Sequence, residues 1–261
     1  MASSSKERSE FAGRTIETET GDIYDCIDFY KQPAFNHPLL QNHSFHPKFA
    51  VAQSKSDPAK VYYGVGATFS IFTPQVKPSQ YASGELIMRS GTDAIIVGWT
   101  AREKHCFNSL CGFISVRQDI PPDFVLWPVS TLGEKIYINE FFVYQDAKNG
   151  NWWLEVGADA VVLGFWPQKI FGGLHNSASY IACGGEASGP SDLGHPQMGT
   201  GYYPFSHEKI YNSYCQDIFV VNEAHDTVYA NNMETFSNDD HDYGVFMVQD
   251  RMVIYGGPNS Y

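Results

Sequence analysis

The chain has 261 residues, with 29 acidic and 17 basic side chains, and therefore carries a formal net charge of −12. Such an acidic chain, which also lacks a basic block, argues against a nucleic acid or an anionic membrane surface as its partner. No run approaches the roughly 18 apolar residues of a membrane-spanning helix. The 18 Phe, 16 Tyr, 23 Gly and 14 Pro favour strands and turns over helices, in one large all-β domain or two small ones.

The first 60 residues differ from the rest of the chain. Residues 1–20 are charged and rich in Ser, Thr and Glu, which predicts a disordered arm, and no apolar signal-peptide core is visible among them. Taken alone, this start indicates a cytosolic protein. Residues 21–51 contain Pro33 and Pro38, which favour extended chain, and the polar stretch 52–60 is typical of a linker.

From residue 61 onward the pattern is that of short strands. In V-G-A-T-F-S-I-F, residues 65–72, apolar side chains alternate with Gly, Thr and Ser, as in a half-buried strand. Asn149-Gly150 predicts a hairpin turn between two further runs. About a dozen such runs at this spacing are typical of a β-sandwich or barrel. We predict strands over 83–90, 93–100, 136–145, 151–156, 160–166, 215–222 and 244–255, and a short helix over 168–174.

The stretch I-A-C-G-G-E-A-S-G, residues 181–189, carries a carboxylate, Glu186, at a position where the surrounding strand looks half buried. Glycines next to a carboxylate let a ligand or another backbone approach closely, and the carboxylate could then activate water. On these residues alone, a solvated strand end is the favoured interpretation. Cys183 lies on the same strand without a local base and is interpreted as a packed core cysteine.

The five cysteines leave one thiol over, whatever the pairing within the chain. Cys106 and Cys111 enclose four residues, enough to loop back to disulfide geometry, and are the favoured pair. The pairing of Cys26, Cys183 and Cys215 stays open.

Motifs for a metal or a cofactor are missing from the sequence. No second close Cys or His pair completes a zinc site, and N-D-D-H-D, residues 238–242, lacks the EF-hand spacing and is interpreted as a solvated turn. The chain has no G-x-S-x-G elbow, no G-x-G-x-x-G run from strand to helix, and no P-loop. We therefore expect no metal and no cofactor.

Tryptophans in the strand-like runs have two interpretations. Trp99, Trp152 and Trp166 could line a substrate groove, since aromatic faces pack well on proline rings and sugars, or they could pack in the core.

Several stretches together resemble the neprosin family of plants over residues 20 to 258. The stretch Y-D-C-I-D-F-Y-K-Q-P-A-F-N-H-P-L-L-Q-N-H is similar to the activation peptide of the family. Stretches similar to its catalytic domain follow in order: C-F-N-S-L-C-G-F, D-I-P-P-D, N-G-N-W-W-L-E-V-G, L-G-F-W-P-Q-K-I-F, C-G-G-E, Q-M-G-T-G-Y-Y-P and Y-G-G-P.

The resemblance implies a secreted glutamic peptidase that cuts after proline in acid, and thus a proline-containing peptide as substrate. It also implies a sandwich of two antiparallel sheets over 61–261, with the chain's own pro-segment, 21–51, folded against it. Family members use two glutamates across a concave sheet, one of which keeps a proton while the other activates water. Glu186 matches the second glutamate, which changes its interpretation to a catalytic position, whereas Ile96 stands where the family has the first.

The chain departs from the family in two further places. Only T-A-R-E-K-H, residues 100–105, remains of a longer segment that includes an aromatic strand, and C-G-G-E replaces W-G-G-E. Glu85 and Glu103 are acids near the site, but the motif supports neither as a substitute. Three hypotheses follow: an impaired endopeptidase, a non-catalytic protein that binds proline-rich peptides or cell-wall glycans, and a truncated gene model.

Overall fold

The computed structural model describes residues 47–101, 112–117, 119–122, 124–206, 208–248 and 251–258, and the backbone of two earlier strands. The chain divides into two units, Met1–Phe45 and His46–Tyr261. In the first unit, β1 (Ala12–Glu17) and β2 (Ile23–Ile27) pair as an antiparallel hairpin. The first of these strands falls within residues 1–20, for which the sequence predicted a disordered arm.

The second unit contains two antiparallel sheets. Five strands form one sheet in the order β14–β3–β11–β5–β6. These strands are β3 (Lys48–Ser54), β5 (Tyr81–Ser90), β6 (Asp93–Ala101), β11 (Tyr180–Ser188) and β14 (Met233–Ser237).

The larger sheet has nine strands, in the order β15–β16–β12–β4–β8–β9–β10–β7, with β13 paired to β12 as a side branch. Its strands are β4 (Gly64–Ser70), β7 (Ile114–Ser115), β8 (Ile138–Gln145), β9 (Trp152–Val156), β10 (Val161–Trp166), β12 (Ser213–Val221), β13 (Thr227–Tyr229), β15 (Gly244–Val248) and β16 (Met252–Gly256).

The two sheets pack as a sandwich, which confirms the predicted fold class. Side chains from both inner faces share one hydrophobic core, in which Phe69 and Phe141 meet edge to face at 5.8 Å. A disulfide between Cys183 of β11 and Cys215 of β12 joins the sheets, with the two Cα atoms 6.5 Å apart. Cys183 is therefore buried as expected, but it is bonded rather than merely packed.

The predicted strands correspond to strands of the structure, but three short strands, β7, β13 and β14, were not predicted. Three segments also differ from the prediction. Residues 48–54, expected to end the activation segment and begin the linker, instead form β3 inside the smaller sheet. The expected helix over 168–174 is a single 3₁₀ turn, Gln168–Ile170, after which the Asp93 carboxylate accepts three backbone N–H bonds from residues 172–174. The run 244–255 is two antiparallel strands, β15 and β16.

The favoured disulfide partners, Cys106 and Cys111, lie outside the described residues, so their pairing stays a prediction. Within the part of the chain that is described, no helix has the length and apolar character needed to cross a membrane.

Candidate active site

The smaller sheet has an inner face toward the core and an outer face that carries the candidate residues. Side chains alternate along a strand, so the inner position of Cys183 places Glu186 on the outer face. The register pairs Glu186 with Ser83, and Gly184 with Glu85. Two acidic residues, on the adjacent strands β11 and β5, therefore lie on the same face.

The glycine before Glu186 has a packing role in the core. A Cβ atom on Gly185 would lie 2.6 Å from the Met198 sulfur and from the ring of Tyr255. On the paired strand, a Cβ atom on Gly84 would lie 2.5 Å from the Tyr255 hydroxyl. These two glycines, paired across β11 and β5, let a tyrosine of the larger sheet pack directly beneath the backbone that carries the two carboxyls.

Glu186 is held inside the protein rather than at a solvated strand end. Its side chain is only 2% exposed, and β11 continues beyond it to Ser188. The Tyr81 hydroxyl donates a hydrogen bond of 2.7 Å to Oε1 of Glu186. Burial, followed by the charge of Glu186, raises the pKa of Tyr81, so this hydroxyl stays protonated and remains a donor.

Glu85 is the second buried carboxyl of the outer face, with 6% of its surface exposed. The Ser83 hydroxyl donates a hydrogen bond of 2.5 Å to its Oε1 atom. Because Glu186 is opposite Ser83, the two glutamates are diagonal neighbours on paired strands, about 7–8 Å apart at their Cα atoms and within reach of each other through long side chains. The charge of Glu85 also contributes to the raised pKa of Tyr81, after burial and Glu186, which agrees with this proximity.

Glycines flank Glu85 on both neighbouring strands. The residue opposite it is Gly184 on β11 and Gly98 on β6. At both glycines the backbone of the next strand approaches closely: a Cβ atom on Gly98 would lie 2.0 Å from the Gly84 carbonyl oxygen, and one on Gly184 would lie 2.3 Å from the Ala50 carbonyl oxygen.

Ile96 lies farther from Glu186 than Glu85 does. It pairs with Ile87, so it is displaced from Glu186 by two strands and four residues, which corresponds to about 15 Å between Cα atoms in a regular sheet. Its side chain is on the outer face and is 42% exposed. Glu85 lies between these two positions, diagonal to both.

A cavity of about 530 Å³ lies on the same outer face. Its apolar lining includes Val51, Ile87 and Phe49, and Phe49 is the residue directly opposite Glu186 on β3. At its other end the Arg89 guanidinium lies over the ring of Tyr180, 5.8 Å from the ring centre. The groove thus has an apolar floor and a cationic end, and two of its lining residues are neighbours of the carboxyls: Phe49 of Glu186, and Ile87 of Glu85 on β5.

The tryptophans contribute to packing instead of to this groove. Trp152 is 0% exposed and its indole N–H donates to the Leu174 carbonyl at 2.8 Å. Trp99 is buried as well, and its indole donates to the carbonyl of Ser70 at 3.1 Å. Of the two interpretations that the sequence left open for these side chains, this burial supports packing in the core. Trp166 is half-buried and packs edge to face on Phe113 at 4.7 Å.

Possible metal ligands occur elsewhere on the surface. His195, Asp239 and Asp242 bring ligand atoms within 4.8 Å of one another. Their carboxylates already have protein partners: Asp239 pairs with Lys48 at 2.7 Å, and Asp242 pairs with His195 and with His241. The run 238–242 thus ties β3 and neighbouring loops together by ion pairs, in a more structured way than the solvated turn that the sequence predicted.

Sequence reasoning named Glu85 but gave it no role. The signal that identifies it is the strand register, since only the pairing of β5 with β11 brings Glu85 next to Glu186. Glu103, the other acid considered, lies outside the described residues.

Comparison with protein-family models agrees with the motifs. Residues 75–258 match the model described as Neprosin, and residues 15–64 match the model described as Neprosin activation peptide. The first match spans both sheets and includes Glu85, Ile96 and Glu186, whereas the second extends through β3 to the start of β4.

Proposed function

Because the chain belongs to the neprosin family, whose members are secreted glutamic prolyl endopeptidases, we propose that it hydrolyses peptide bonds after proline at acid pH, with Glu186 as a catalytic carboxyl. The family acts on peptides and carries its own activation peptide. The Cys183–Cys215 disulfide is consistent with a secreted protein, because disulfides persist in oxidising compartments.

The observation that carries this proposal is the environment of Glu186. The carboxyl is buried, oriented by the Tyr81 hydroxyl, and adjacent to an apolar groove through its neighbour Phe49. A hydrogen bond that fixes one carboxyl oxygen in place suits a general base that takes a proton from water. The apolar floor of the groove suits the ring of a proline residue.

Ile96 removes the other carboxyl that the family uses, because an isoleucine side chain neither accepts nor donates a proton. Groups that act as a unit in catalysis are strongly interdependent, and the loss of one costs several orders of magnitude in rate. We therefore propose that turnover is low compared with a family member that has both glutamates. Any remaining activity requires a second proton-transferring group beside Glu186.

The test is a cleavage assay with the full chain at acid pH. A proline-containing peptide is incubated with the wild-type protein, with Glu186→Gln and with Glu234→Gln, and the products are identified by mass spectrometry. Glu234 is an exposed glutamate of the same sheet, on β14, and so serves as a matched control. Slow cleavage after proline that is lost only in Glu186→Gln supports the proposal; no cleavage by the wild type, or equal cleavage by Glu186→Gln, would contradict it.

A second candidate function is peptide or glycan binding without catalysis. The absence of the family carboxyl at Ile96, together with an intact groove, favours it. A non-catalytic protein would bind proline-rich peptides or cell-wall glycans saturably without releasing products. Calorimetry with both ligand types, on the wild type and on Phe49→Ala, distinguishes this function: binding that weakens in Phe49→Ala without any cleavage favours it over hydrolysis.

A further inference from the structure

We propose that Glu85 supplies the second carboxyl of the catalytic pair, in place of the glutamate that Ile96 replaces. This inference rests on the proposed peptidase function. It assigns Glu85 a role that the family motif does not, and it follows from the strand register together with the burial of both side chains.

Position is the first reason. Glu85 is one strand and two residues from Glu186, a diagonal neighbour at about 7–8 Å, whereas position 96 is about twice as far along the same diagonal. Two extended glutamate side chains on such a diagonal can direct their carboxyls at one small space above the sheet. In the proposed reaction, a water molecule and the scissile carbonyl would occupy that space when a substrate is bound.

The neighbouring cavity is the second reason. Phe49, directly opposite Glu186 on β3, and Ile87, two residues from Glu85 on β5, both line the cavity of the outer face. A peptide bound in this cavity would therefore lie beside both carboxyls.

Each carboxyl accepts a hydrogen bond from a hydroxyl, Tyr81 for Glu186 and Ser83 for Glu85. We assign the role of base to Glu186, as in the function proposed above, and the role of acid to Glu85. Two buried carboxylates this close repel each other, so the pair keeps one proton, which is placed on Glu85. Glu85 therefore donates a hydrogen bond to the carbonyl oxygen of the bond that is cut.

The reaction balances with water as its only co-reactant. Glu186 takes one proton from water while the water oxygen bonds to the carbonyl carbon, and Glu85 protonates the carbonyl oxygen. As the tetrahedral intermediate collapses, the C–N bond breaks and the leaving nitrogen takes the proton held by Glu186. The hydroxyl proton returns to Glu85, which restores the starting pair and releases a carboxylic acid and an amine.

Other described acids of this sheet are poorly placed for the role. Asp93 is at the start of β6 and its carboxylate already accepts the backbone N–H groups of residues 172–174. Glu234 is on the opposite side of β11, beyond β3, and is exposed. Among the residues that the structure describes, Glu85 is the carboxyl that the register brings next to Glu186.

The kinetic test compares Glu85→Gln with the wild type, using Glu234→Gln as the control. We expect Glu85→Gln to lower kcat/KM by at least about a hundredfold, the scale of a lost general acid, and Glu234→Gln to leave it unchanged. A Glu85→Gln protein that is folded by circular dichroism and as active as the wild type would overturn the inference. The function proposed above would then still stand, because its own test is the loss of activity in Glu186→Gln.

A titration decides the question even if no turnover is measurable. Glutamate labelled with ¹³C at the side-chain carboxyl is followed by NMR from neutral to acid pH in the full chain. Coupled carboxyls titrate in two steps that belong to the pair, so we expect the Glu186 signal to change its titration curve in Glu85→Gln but not in Glu234→Gln. A Glu186 curve that is the same in all three proteins would overturn the inference.

Discussion

Glu85 and Glu186 lie on paired antiparallel strands, two residues out of register, on one face of the smaller sheet. Both are buried, and each accepts a hydrogen bond from a neighbouring hydroxyl, Ser83 for Glu85 and Tyr81 for Glu186. A sheet fixes such a pair more rigidly than a loop does, because the ladder of backbone hydrogen bonds sets both the spacing and the direction of the side chains.

Tyr81→Phe tests the donor to Glu186. Without that hydroxyl the ionised carboxylate loses a hydrogen bond, so we expect the acidic limb of the pH–rate profile to move to higher pH and the maximal rate to fall by about tenfold. The raised pKa of Tyr81, caused first by burial and then by the charge of Glu186, means that its own ionisation lies outside an acid profile. An unchanged acidic limb in a folded Tyr81→Phe protein would show that Tyr81 does not position the base.

Removal of the disulfide tests how the two sheets are joined. The Cys183–Cys215 bond closes a loop with a sequence separation of 32, and we expect the variant Cys183→Ala/Cys215→Ala to lose about 2–4 kcal/mol of unfolding free energy. Chemical denaturation of the wild type and of the double variant measures this difference in unfolding free energy. Reductant should destabilise the wild type more than the double variant, which keeps only the predicted Cys106–Cys111 pair. Equal stability of the two oxidised proteins would contradict the prediction.

Any processed form of the protein should retain β3. This strand lies between β14 and β11, its side chains Ala50, Val51 and Ala52 are buried, and Phe49 pairs with Glu186. Cleavage beyond it would expose the edge of β11 and open the core. We therefore expect N-terminal sequencing of an acid-processed chain to start at or before Lys48, although the match to the activation peptide runs to residue 64. A stable, folded product that begins after Ser54 would contradict this.

The ion pairs of Asp242 predict a stability window in acid. A hydrogen bond from His241 lowers the pKa of Asp242. The stability that the ionised Asp242 carboxylate adds to the fold is therefore present above the usual pKa of 3.8, and it is lost as the pH falls through the lowered pKa. The same hydrogen bond raises the pKa of His241. The stability that the protonated His241 imidazole adds is present below the usual pKa of 6.5, and it is lost as the pH rises through the raised pKa.

The stabilising contributions of ionised Asp242 and protonated His241 are therefore both present between about pH 4 and 6.5. We expect His241→Asn to lower Tm slightly at the middle of this window and not at mildly alkaline pH. The effect should weaken in high salt because His241 is exposed. His175→Asn, a change at an exposed histidine of another loop, is the control. A Tm difference that is the same at both pH values would contradict the assignment.

Local sequence patterns predict most of the sandwich. The alternation in β4 and the Asn149-Gly150 turn depend on neighbours within a few residues, and they correspond to a strand and a hairpin in the structure. The strand β3 was missed because its end, Q-S, continues into polar residues and is typical of a linker, although Ala50, Val51 and Ala52 in its middle are buried. Cys183 and Cys215 are joined only through the packing of two sheets, which no spacing rule reveals.

In the candidate site, too, local sequence predicts some features, whereas others depend on long-range strand pairing. Glu186 is identified from its motif, whereas the relation of Glu85 to it depends on a register that local sequence does not specify. For Trp99 and Trp152, the sequence could not distinguish a place in a groove from a place in the core, because an aromatic side chain in a strand suits both. Both are buried, because the opposite sheet packs against them. Long-range pairing therefore determines which residues meet, even where the strands themselves are predicted.

A double-mutant cycle on Glu85 and Glu186 tests the central claim most directly. kcat/KM for a proline-containing peptide is measured at acid pH for the wild type, Glu85→Gln, Glu186→Gln and the variant with both changes. Two carboxyls that work as one pair predict that each single variant loses nearly all activity and that the double variant loses no more. Independent, multiplicative losses, or full activity in Glu85→Gln, would contradict the account.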